Sequence, residues 1–526
     1  MKYGRHWWFG IAALAALIGL SSFWLPKPRP ADAPNREFAA LRAFEHVQAI
    51  ARAPHPSGSS ENQKVREYLL AQMRTLGLNP REQRGEYKGA TAINLYSELP
   101  GSDAAVPSIL LVAHYDSVPT GPGAADDSTG VATCLETIHA LKAHGPLRNT
   151  IGILFTDAEE NHGVCLGAFV FVRDQTNLLK NIRVVVNMEA RGNHGPALMF
   201  QTGRDNRELM RVFRRACPLP VTASFSEKVY RRMPNDTDLT EFLNAGKRGF
   251  NFAFVGGIEF YHSANDTPEN LSLRTVQHYG ECVVPLVAEL GNANANAFEA
   301  FQKSGDATFF TVFRGCMALY SARVAKLMAY TTAALFVITL FAGFRNRAIS
   351  SPSFAKSFGG VIASVLLAVG FGAGIVYAIV QHYHPRVRIP FIVGAPFSLL
   401  ALLVILFLAV IVTLCLRRFL LRASYSELLA SGLAVWTTLM LGANAMLPGA
   451  SYIFMWPAFF GTLALLQSYS RTDISLSQIF FTAAPAPLLI APTIGLLHQT
   501  ITIGIAPLSA ALVSLMVCLL PKAGRT

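Results

Sequence analysis

The sequence predicts two structural classes in one chain: an α/β domain whose mixed, mostly parallel sheet is sandwiched by helices, and an all-α multi-span membrane domain. Three observations carry this. Charge is unevenly placed: residues 1–300 hold 30 Lys and Arg against 30 Asp and Glu, whereas residues 301–526 hold 15 against 3. The whole formal excess of +12 therefore lies in the second part, which is also the apolar one. Second, the chain is 52% apolar and only 15% charged, against about 25% charged in soluble domains. Third, residues 31–300 alternate β-rich apolar runs with helical patterns. A basic excess scattered between apolar runs marks membrane topology and argues against a nucleic-acid footprint.

Residues 1–30 read as an anchor and linker. Trp7–Leu25 is an uncharged run close to the length that crosses ~30 Å of hydrocarbon. Lys2 and Arg5 precede it, and Pro26-Lys27-Pro28-Arg29-Pro30 follows as an extended spacer. The rival reading is a cleaved signal peptide. Ser21-Ser22-Phe23-Trp24-Leu25 lacks a small-x-small cleavage site, so a retained anchor is expected. Under either reading, residues 31–300 are exported.

Within 31–300, four continuous apolar runs suit strands buried on both faces of a parallel sheet. They are Ser108–Ala113, Thr150–Phe155, Ile182–Val186 and Gly249–Phe254. Helical stretches intervene at Glu61–Leu76, Gly130–Ala143 and Asp205–Ala216. That alternation predicts an α/β sandwich, in which ligands gather beyond the carboxyl ends of the strands. A junction over 301–326 leads into 327–526, where seven spans are expected: Leu327–Phe344, Phe358–Val380, Phe391–Leu416, Leu428–Leu447, Ser451–Tyr469, Ile479–Leu497 and Ile501–Leu520. With the N-terminus cytoplasmic, the inner loops carry Arg345, Arg347, Lys356, Arg417, Arg418, Arg422, Arg471, Lys522 and Arg525. The outer loops carry only Arg386 and Arg388. This positive-inside bias favours eight spans with both termini cytoplasmic, the weakest span being Ser451–Tyr469, which is short and contains Pro457.

Each predicted strand is followed by residues able to ligate a metal. His114-Tyr115-Asp116 follows the first, with Asp116 placed as an orienting partner for the His114 imidazole. A Gly-rich turn then leads to Asp126-Asp127-Ser128-Thr129-Gly130 at a helix start, where capping is the ordinary explanation of the acids. Glu159-Glu160 follows the second strand, Asn187-Met188-Glu189 the third, and Tyr261-His262 lies beyond the fourth. Singly these are weak signals, since paired glutamates are usually solvated and a lone His is usually structural. Together, two His and three carboxylates at strand ends are the nitrogen and oxygen donors of a pair of Zn²⁺ ions. The glutamate beside a ligand glutamate is then the candidate general base.

Residues 40–290 resemble the di-zinc aminopeptidase family of the secreted bacterial leucyl aminopeptidases and glutamate carboxypeptidase II. The resemblance rests on Pro54-His55-Pro56-Ser57-Gly58-Ser59, His114-x-Asp116, Gly123-x-x-Asp126-Asp127-x-x-Gly130, Glu159-Glu160, Asn187-x-Glu189 and Tyr261-His262. It implies a zinc-exopeptidase fold and two Zn²⁺ per chain. His114 and Glu189 would hold one ion and Glu160 and His262 the other, with Asp126 bridging. Glu159 would be the base, Tyr261 an oxyanion donor, and the Asp126–Asp127 peptide would be cis. The implied substrate is a peptide with a free N-terminus. Two departures stand out. Many relatives have Asp where Glu189 stands, and Asn161-His162-Gly163 replaces the usual Gly-Leu pattern, which makes His162 a further donor to consider. Asn235-Asp236-Thr237-Asp238 and the appended helices resemble a membrane-embedded subgroup, typified by an endoplasmic-reticulum metallopeptidase and the fungal vacuolar membrane protease.

Rival readings are a glutaminyl-cyclase-like or carboxypeptidase variant on this scaffold, a non-catalytic receptor-like relative, and a transporter with an added domain. The spans hold little charge away from their ends, where Glu427 and Asp473 sit, which counts against coupled transport. The seven cysteines show no C-x-x-C and no spacing that signals a disulfide framework, and Cys134 is expected in the core. Three glycosylation-type triplets, at Asn235, Asn265 and Asn270, read as chance matches. The expected setting is a bacterial inner membrane with the peptidase domain outside, or alternatively an endomembrane lumen. The bilayer is thus a partner, nucleic acid is not, and the sequence leaves the oligomeric state open.

Overall fold

The computed structural model describes residues 6–103, 107–160, 163–232, 236–383, 398–419, 423–470 and 474–520. His162, Asn235, Asp473 and the loop residues Lys2, Arg5, Arg386, Arg388, Arg422, Arg471, Lys522 and Arg525 lie outside them. The chain divides into two compact units. One comprises Phe23–Thr311 with Gly315–Ser321, the other Met1–Ser22, Val312–Arg314 and Ala322–Thr526.

The first unit is built on an eight-stranded sheet. Its strands are β1 (Arg81–Tyr87), β2 (Ala90–Leu99), β3 (Pro107–His114), β4 (Thr150–Thr156), β5 (Val184–Ala190), β6 (Leu198–Thr202), β7 (Val221–Thr222) and β8 (Arg248–Phe254), in the order β1-β2-β4-β3-β5-β8-β6-β7. The four central strands β4, β3, β5 and β8 run parallel and are the four apolar runs of the sequence. They are predominantly apolar because both faces are covered. Ile109, Leu111 and Ala113 of β3 pack with Leu135, Ile138 and Val283 on one side, whereas Leu110 and Val112 pack with Phe171, Leu239 and Phe242 on the other. Each such buried side chain contributes roughly 1.5–3 kcal/mol.

The flanks are antiparallel, a feature the apolar runs do not announce. β1 pairs with β2, β2 with β4, and β6 with β8, all antiparallel. β1 reads Arg-Glu-Gln-Arg-Gly-Glu-Tyr and is mostly exposed, so it lacks the hydrophobic signature of a strand. Helix starts follow capping chemistry. Ser59 accepts the Asn62 N–H ahead of Ser60–Thr75, Asp127 accepts the Gly130 N–H ahead of Ser128–His144, and Ser272 caps Leu273–Gly291. Beyond residue 300 this unit adds most of a hairpin of β9 (Ala307–Phe313) and β10 (Cys316–Ser321).

The cysteine expectation needs correction. Cys217, at the end of helix Arg207–Ala216, forms a disulfide with Cys282 inside helix Leu273–Gly291. Nothing in a 65-residue separation predicts the pair; packing between two helices brings it together. Cys134 is buried in the core, as expected.

The second unit is helical. Among the described residues, five stretches are long and apolar enough to cross a membrane: Ala322–Arg345, Ser351–His382, Ser398–Arg418, Tyr425–Met446 and Leu476–Leu519. Trp7–Phe23 and Tyr452–Ser468 are shorter apolar helices. The 476–519 stretch is interrupted at Ala484 and again at Thr502, whose φ of 55° ends helix Pro485–Ile501. Many large apolar side chains, such as Ile338, Phe341, Leu366 and Phe407, face outward, as lipid contact requires. Ser424 and Glu427 form a reciprocal cap at the start of Tyr425–Met446. Arg417 donates to the carbonyls of Val517 and Leu520, which the end of helix Ala506–Leu519 leaves without helical partners.

Candidate metal centre

The carboxyl ends of the four parallel strands bring the expected residues together. His114 is the last residue of β3, Glu189 stands near the end of β5, Glu159 and Glu160 follow β4, and His262 lies beyond β8. Asp126 enters from the turn before helix Ser128–His144, and its peptide to Asp127 is cis. Its two oxygens face opposite ways. Oδ1 lies 3.3 Å from His114 Nε2 and Oδ2 lies 3.3 Å from His262 Nε2. Glu189 Oε2 is 3.8 Å from His114 Nε2, and Glu160 Oε2 is 2.8 Å from His262 Nε2. Two donor triads result, His114–Asp126–Glu189 and Asp126–Glu160–His262, each with its donor atoms within 4.8 Å of one another. His114, Glu159 and Glu160 form a third such group.

The Asp116 expectation is met only in part. His114 Nδ1 lies 3.0 Å from the backbone carbonyl of Asp116 and 3.6 Å from its carboxylate, so the carbonyl holds the ring. The Asp116 carboxylate does other work. Its two oxygens accept the N–H groups of Glu159 at 3.1 Å and Glu160 at 3.2 Å, fixing the turn that presents both glutamates.

Several supporting roles escaped sequence reading. Asp266 accepts the N–H groups of Ala125 at 2.8 Å and Asp126 at 3.2 Å, clamping the turn that carries Asp126. It lies within a triplet that reads as a chance glycosylation match, and no local pattern marks it. Asp238 is buried and bonded to the Thr156 hydroxyl at the end of β4. Asn187 donates to Glu189 Oε1 at 3.0 Å, and Cys165 Sγ lies 3.5 Å from Glu159 Oε1.

Electrostatics explain why such a cluster needs cations. Burial drives the carboxyls of Glu159 and Glu189 well above the usual range, and burial with the Asp126 charge lifts Glu160 to about 7. For Asp126 burial acts upward too, but its bonds to His114 and His262 win and hold it low. His262 responds in the opposite sense: burial lowers it, the bonds to Asp126 and Glu160 outweigh that, and it rises to about 10. Buried carboxylates thus gather positive charge wherever it is on offer, which is how cation sites work. Burial and the surrounding carboxylates raise the Tyr261 phenol, so it stays protonated, stacked on the His262 ring with centroids 3.7 Å apart.

Residues 94–287 match the model of Peptidase family M28. The chain is 28% identical over 358 residues to endoplasmic reticulum metallopeptidase 1 of Mus musculus, covering 63% of this chain and 39% of the relative. It is 31% identical over 247 residues to the vacuolar membrane protease of Candida dubliniensis, covering 44% and 26%. It thus spans about two fifths or less of these relatives' length. Among solved structures, the glutaminyl cyclase of Porphyromonas gingivalis is similar at 20% identity and TM-score 0.41, covering 48% of this chain and 99% of that one. The relatives' names agree with the endomembrane alternative and lend nothing to the bacterial inner-membrane expectation. The strand-end donors lie within or close to the matched stretch, and one assignment follows: residues 94–287 form a Peptidase family M28 domain, in a chain similar to endoplasmic reticulum metallopeptidase 1 and the vacuolar membrane protease.

Proposed function

We propose that this chain is a membrane-anchored, two-zinc aminopeptidase that hydrolyses the first peptide bond of substrates with a free N-terminus. The observation that carries the reading is Asp126, whose two oxygens stand 3.3 Å from the ring nitrogens of His114 and His262, with Glu189 and Glu160 flanking them. His114, Asp126 and Glu189 would hold one ion, and Asp126, Glu160 and His262 the other. Nitrogen and carboxylate donors suit zinc. Bound there, zinc lowers the pKa of water and polarises the scissile carbonyl.

The protein's own groups do the rest. Glu159, set beside Glu160 by the Asp116 carboxylate, takes a proton from the attacking water and passes it to the leaving amine. Tyr261, protonated and stacked on His262, donates to the oxyanion of the tetrahedral carbon. Asp266 and Asp116 hold the two acidic turns in place. In this reading eight spans leave both termini cytoplasmic and the peptidase domain on the opposite side of the bilayer. A reporter fused after Arg36 would then read external, and one at Arg347 cytoplasmic.

Glu159→Gln tests the chemistry. The full chain should bind two zinc ions by elemental analysis and cleave aminoacyl-anilides. The variant should keep both ions and lose kcat by about 10²–10⁴-fold. Near wild-type turnover with zinc intact would remove Glu159 as the base. A fully zinc-loaded wild type that cleaves no free-amine substrate would remove the aminopeptidase assignment.

A further inference from the structure

A second cleft lies in the peptidase unit, away from the metal donors. Its volume is about 490 Å³, and its wall includes Gln201, Arg204, Tyr230, Arg231, Lys247 and Arg248. The position follows from strand register. Thr202 of β6 pairs with Phe250, so the residues after β6 and those opening β8 meet at the amino end of β8. His262 follows the other end of that strand.

The lining is rich in donors and short of acceptors. Four cations share it with one carboxylate, Asp236. Arg231 is paired with Glu227, and Arg248 with Asp205 at 3.1 Å. Arg204 and Lys247 have no carboxylate partner among the described residues. Lys247 is half-buried, and burial together with the nearby Arg183 holds its ammonium below the usual lysine range. A partly desolvated cation whose charged neighbour is another cation is a position that an anion would relieve.

Among the described residues, two buried donors on the same wall make no well-formed hydrogen bond. One is Arg248 Nε. Tyr230 is 9% exposed, and its hydroxyl sits beside Thr237 without a well-formed bond. Unpaired buried donors are rare in native proteins and mark a missing partner. Gln201 adds to this. It is 5% exposed, and its Oε1 accepts from Asn251 at 2.9 Å, so what it can offer the cleft is its amide N–H₂. Asn251 in turn bonds Asn187 at 3.0 Å, and Asn187 bonds Glu189 at 3.0 Å. These three amides are in register across β5, β8 and β6 and hold Gln201 in a fixed orientation.

We propose that this cleft is a binding site for a small, multiply charged oxyanion, a phosphate or polycarboxylate ligand seated on Arg204, Lys247, Tyr230 and Gln201. Its volume fits a small molecule. The donors are all of the kind that recognise anionic oxygens. The lining contains none of the metal donors, although the amide chain from Gln201 ends on Glu189, so persistence of binding after metal removal is what separates this proposal from the peptidase chemistry.

Isothermal titration of the full chain in detergent with inorganic phosphate, and separately with succinate, tests it. The two arms tell phosphate from carboxylate ligands. We expect saturable binding of at least one, weakening as salt rises. Binding should survive removal of metal with a chelator, and Arg204→Ala/Lys247→Ala should weaken it by about ten-fold or more, a change of ~1.4 kcal/mol. Tyr230→Phe, which removes one hydroxyl and keeps the ring, should weaken it less. The proposal is overturned if neither anion binds up to ~10 mM, which corresponds to under ~3 kcal/mol. Binding that disappears on chelation overturns it too, since the anion would then be seated on the metal centre. So does binding that the double variant leaves unchanged while its melting temperature matches wild type.

Discussion

Asp116→Asn is the substitution that most directly probes how the metal centre is assembled. Asp116 is fully buried, and its two carboxylate oxygens each accept one backbone N–H, from Glu159 at 3.1 Å and Glu160 at 3.2 Å. A hydrogen bond to a charged group contributes about 1.5–3 kcal/mol, and a buried donor left without an acceptor costs about 1–3 kcal/mol. Asparagine keeps one acceptor oxygen and turns an –NH₂ toward the other N–H. One bond is lost and one buried donor is orphaned, so after relaxation of the turn the local cost is about 2–4 kcal/mol. At about 1.4 kcal/mol per decade, that corresponds to a loss of kcat/KM of about 30- to 1,000-fold. The loss should also be uneven between the two donor triads. His114 is held by the Asp116 carbonyl, which the substitution leaves in place, whereas the turn that carries Glu159 and Glu160 loses one of its two anchors. The ion shared by Asp126, Glu160 and His262 should therefore leave first, taking occupancy from two towards one. Zinc per chain by elemental analysis, read together with aminoacyl-anilide kinetics, checks both parts. A variant with two zinc ions and kcat/KM within about three-fold of wild type would refute the reasoning.

Three further outcomes follow from other parts of the structure. Tyr261→Phe should keep both metals and lose kcat by about 10²–10³-fold, with KM little changed, as expected when one oxyanion donor is removed; steady-state kinetics decides. Cys282→Ser opens a disulfide that closes a loop of 65 residues, and loop-closure entropy sets the loss at about 4 kcal/mol, so the melting temperature of the peptidase unit should fall, and reductant should lower the wild type similarly. His46 gives a pH dependence. Burial, with His139 adding to it, pushes the imidazole from 6.5 down to about 4, while its Nδ1 meets the Tyr68 hydroxyl at 2.7 Å. Between those values the unfolded chain binds the proton and the folded one does not, so the full contribution is present above pH ~6.5 and fades as pH falls towards ~4, by at most about 3 kcal/mol. Denaturant titrations across that window should show a shallower pH slope in His46→Gln, and an unchanged slope would dismiss the assignment.

The part of the structure that could be read from the chain is the part where local pattern and burial coincide. β3, β4, β5 and β8 are covered on both faces, so each is predominantly apolar, and their ends were visible within two residues except at β5, which runs four residues past Val186. The same logic exposed the donors. A charged residue directly after such a run sits at the open end of a buried sheet, where ionisation is costly without a counter-charge. His114 and the Glu159-Glu160 pair stand out for that reason, and Glu189 interrupts a buried run near its end. β1 had no such signature, because an edge strand exposed to water can be Arg-Glu-Gln-Arg, so a mixed sheet was expected without the strands that make it mixed being located.

What could not be read is what depends on contacts between distant segments. Asp266 holds the turn around Asp126 from 140 residues downstream, and Cys282 reaches Cys217 only because two helices pack. Neither has a period, a spacing or a neighbour that marks it. Asp116 is the instructive case between these extremes. Its position two residues after His114 marked it as an orienting partner of that ring, and the ordinary habit of ligand histidines pointed to its carboxylate for that role. The backbone carbonyl already satisfies His114 Nδ1, which frees the carboxylate to hold the next strand's turn, Glu159 and Glu160 together. A single residue thereby ties the ends of β3 and β4, the two neighbouring strands whose carboxyl ends supply one histidine and both glutamates. This is why replacing one carboxylate oxygen there should be felt at the second metal position rather than at the histidine beside it.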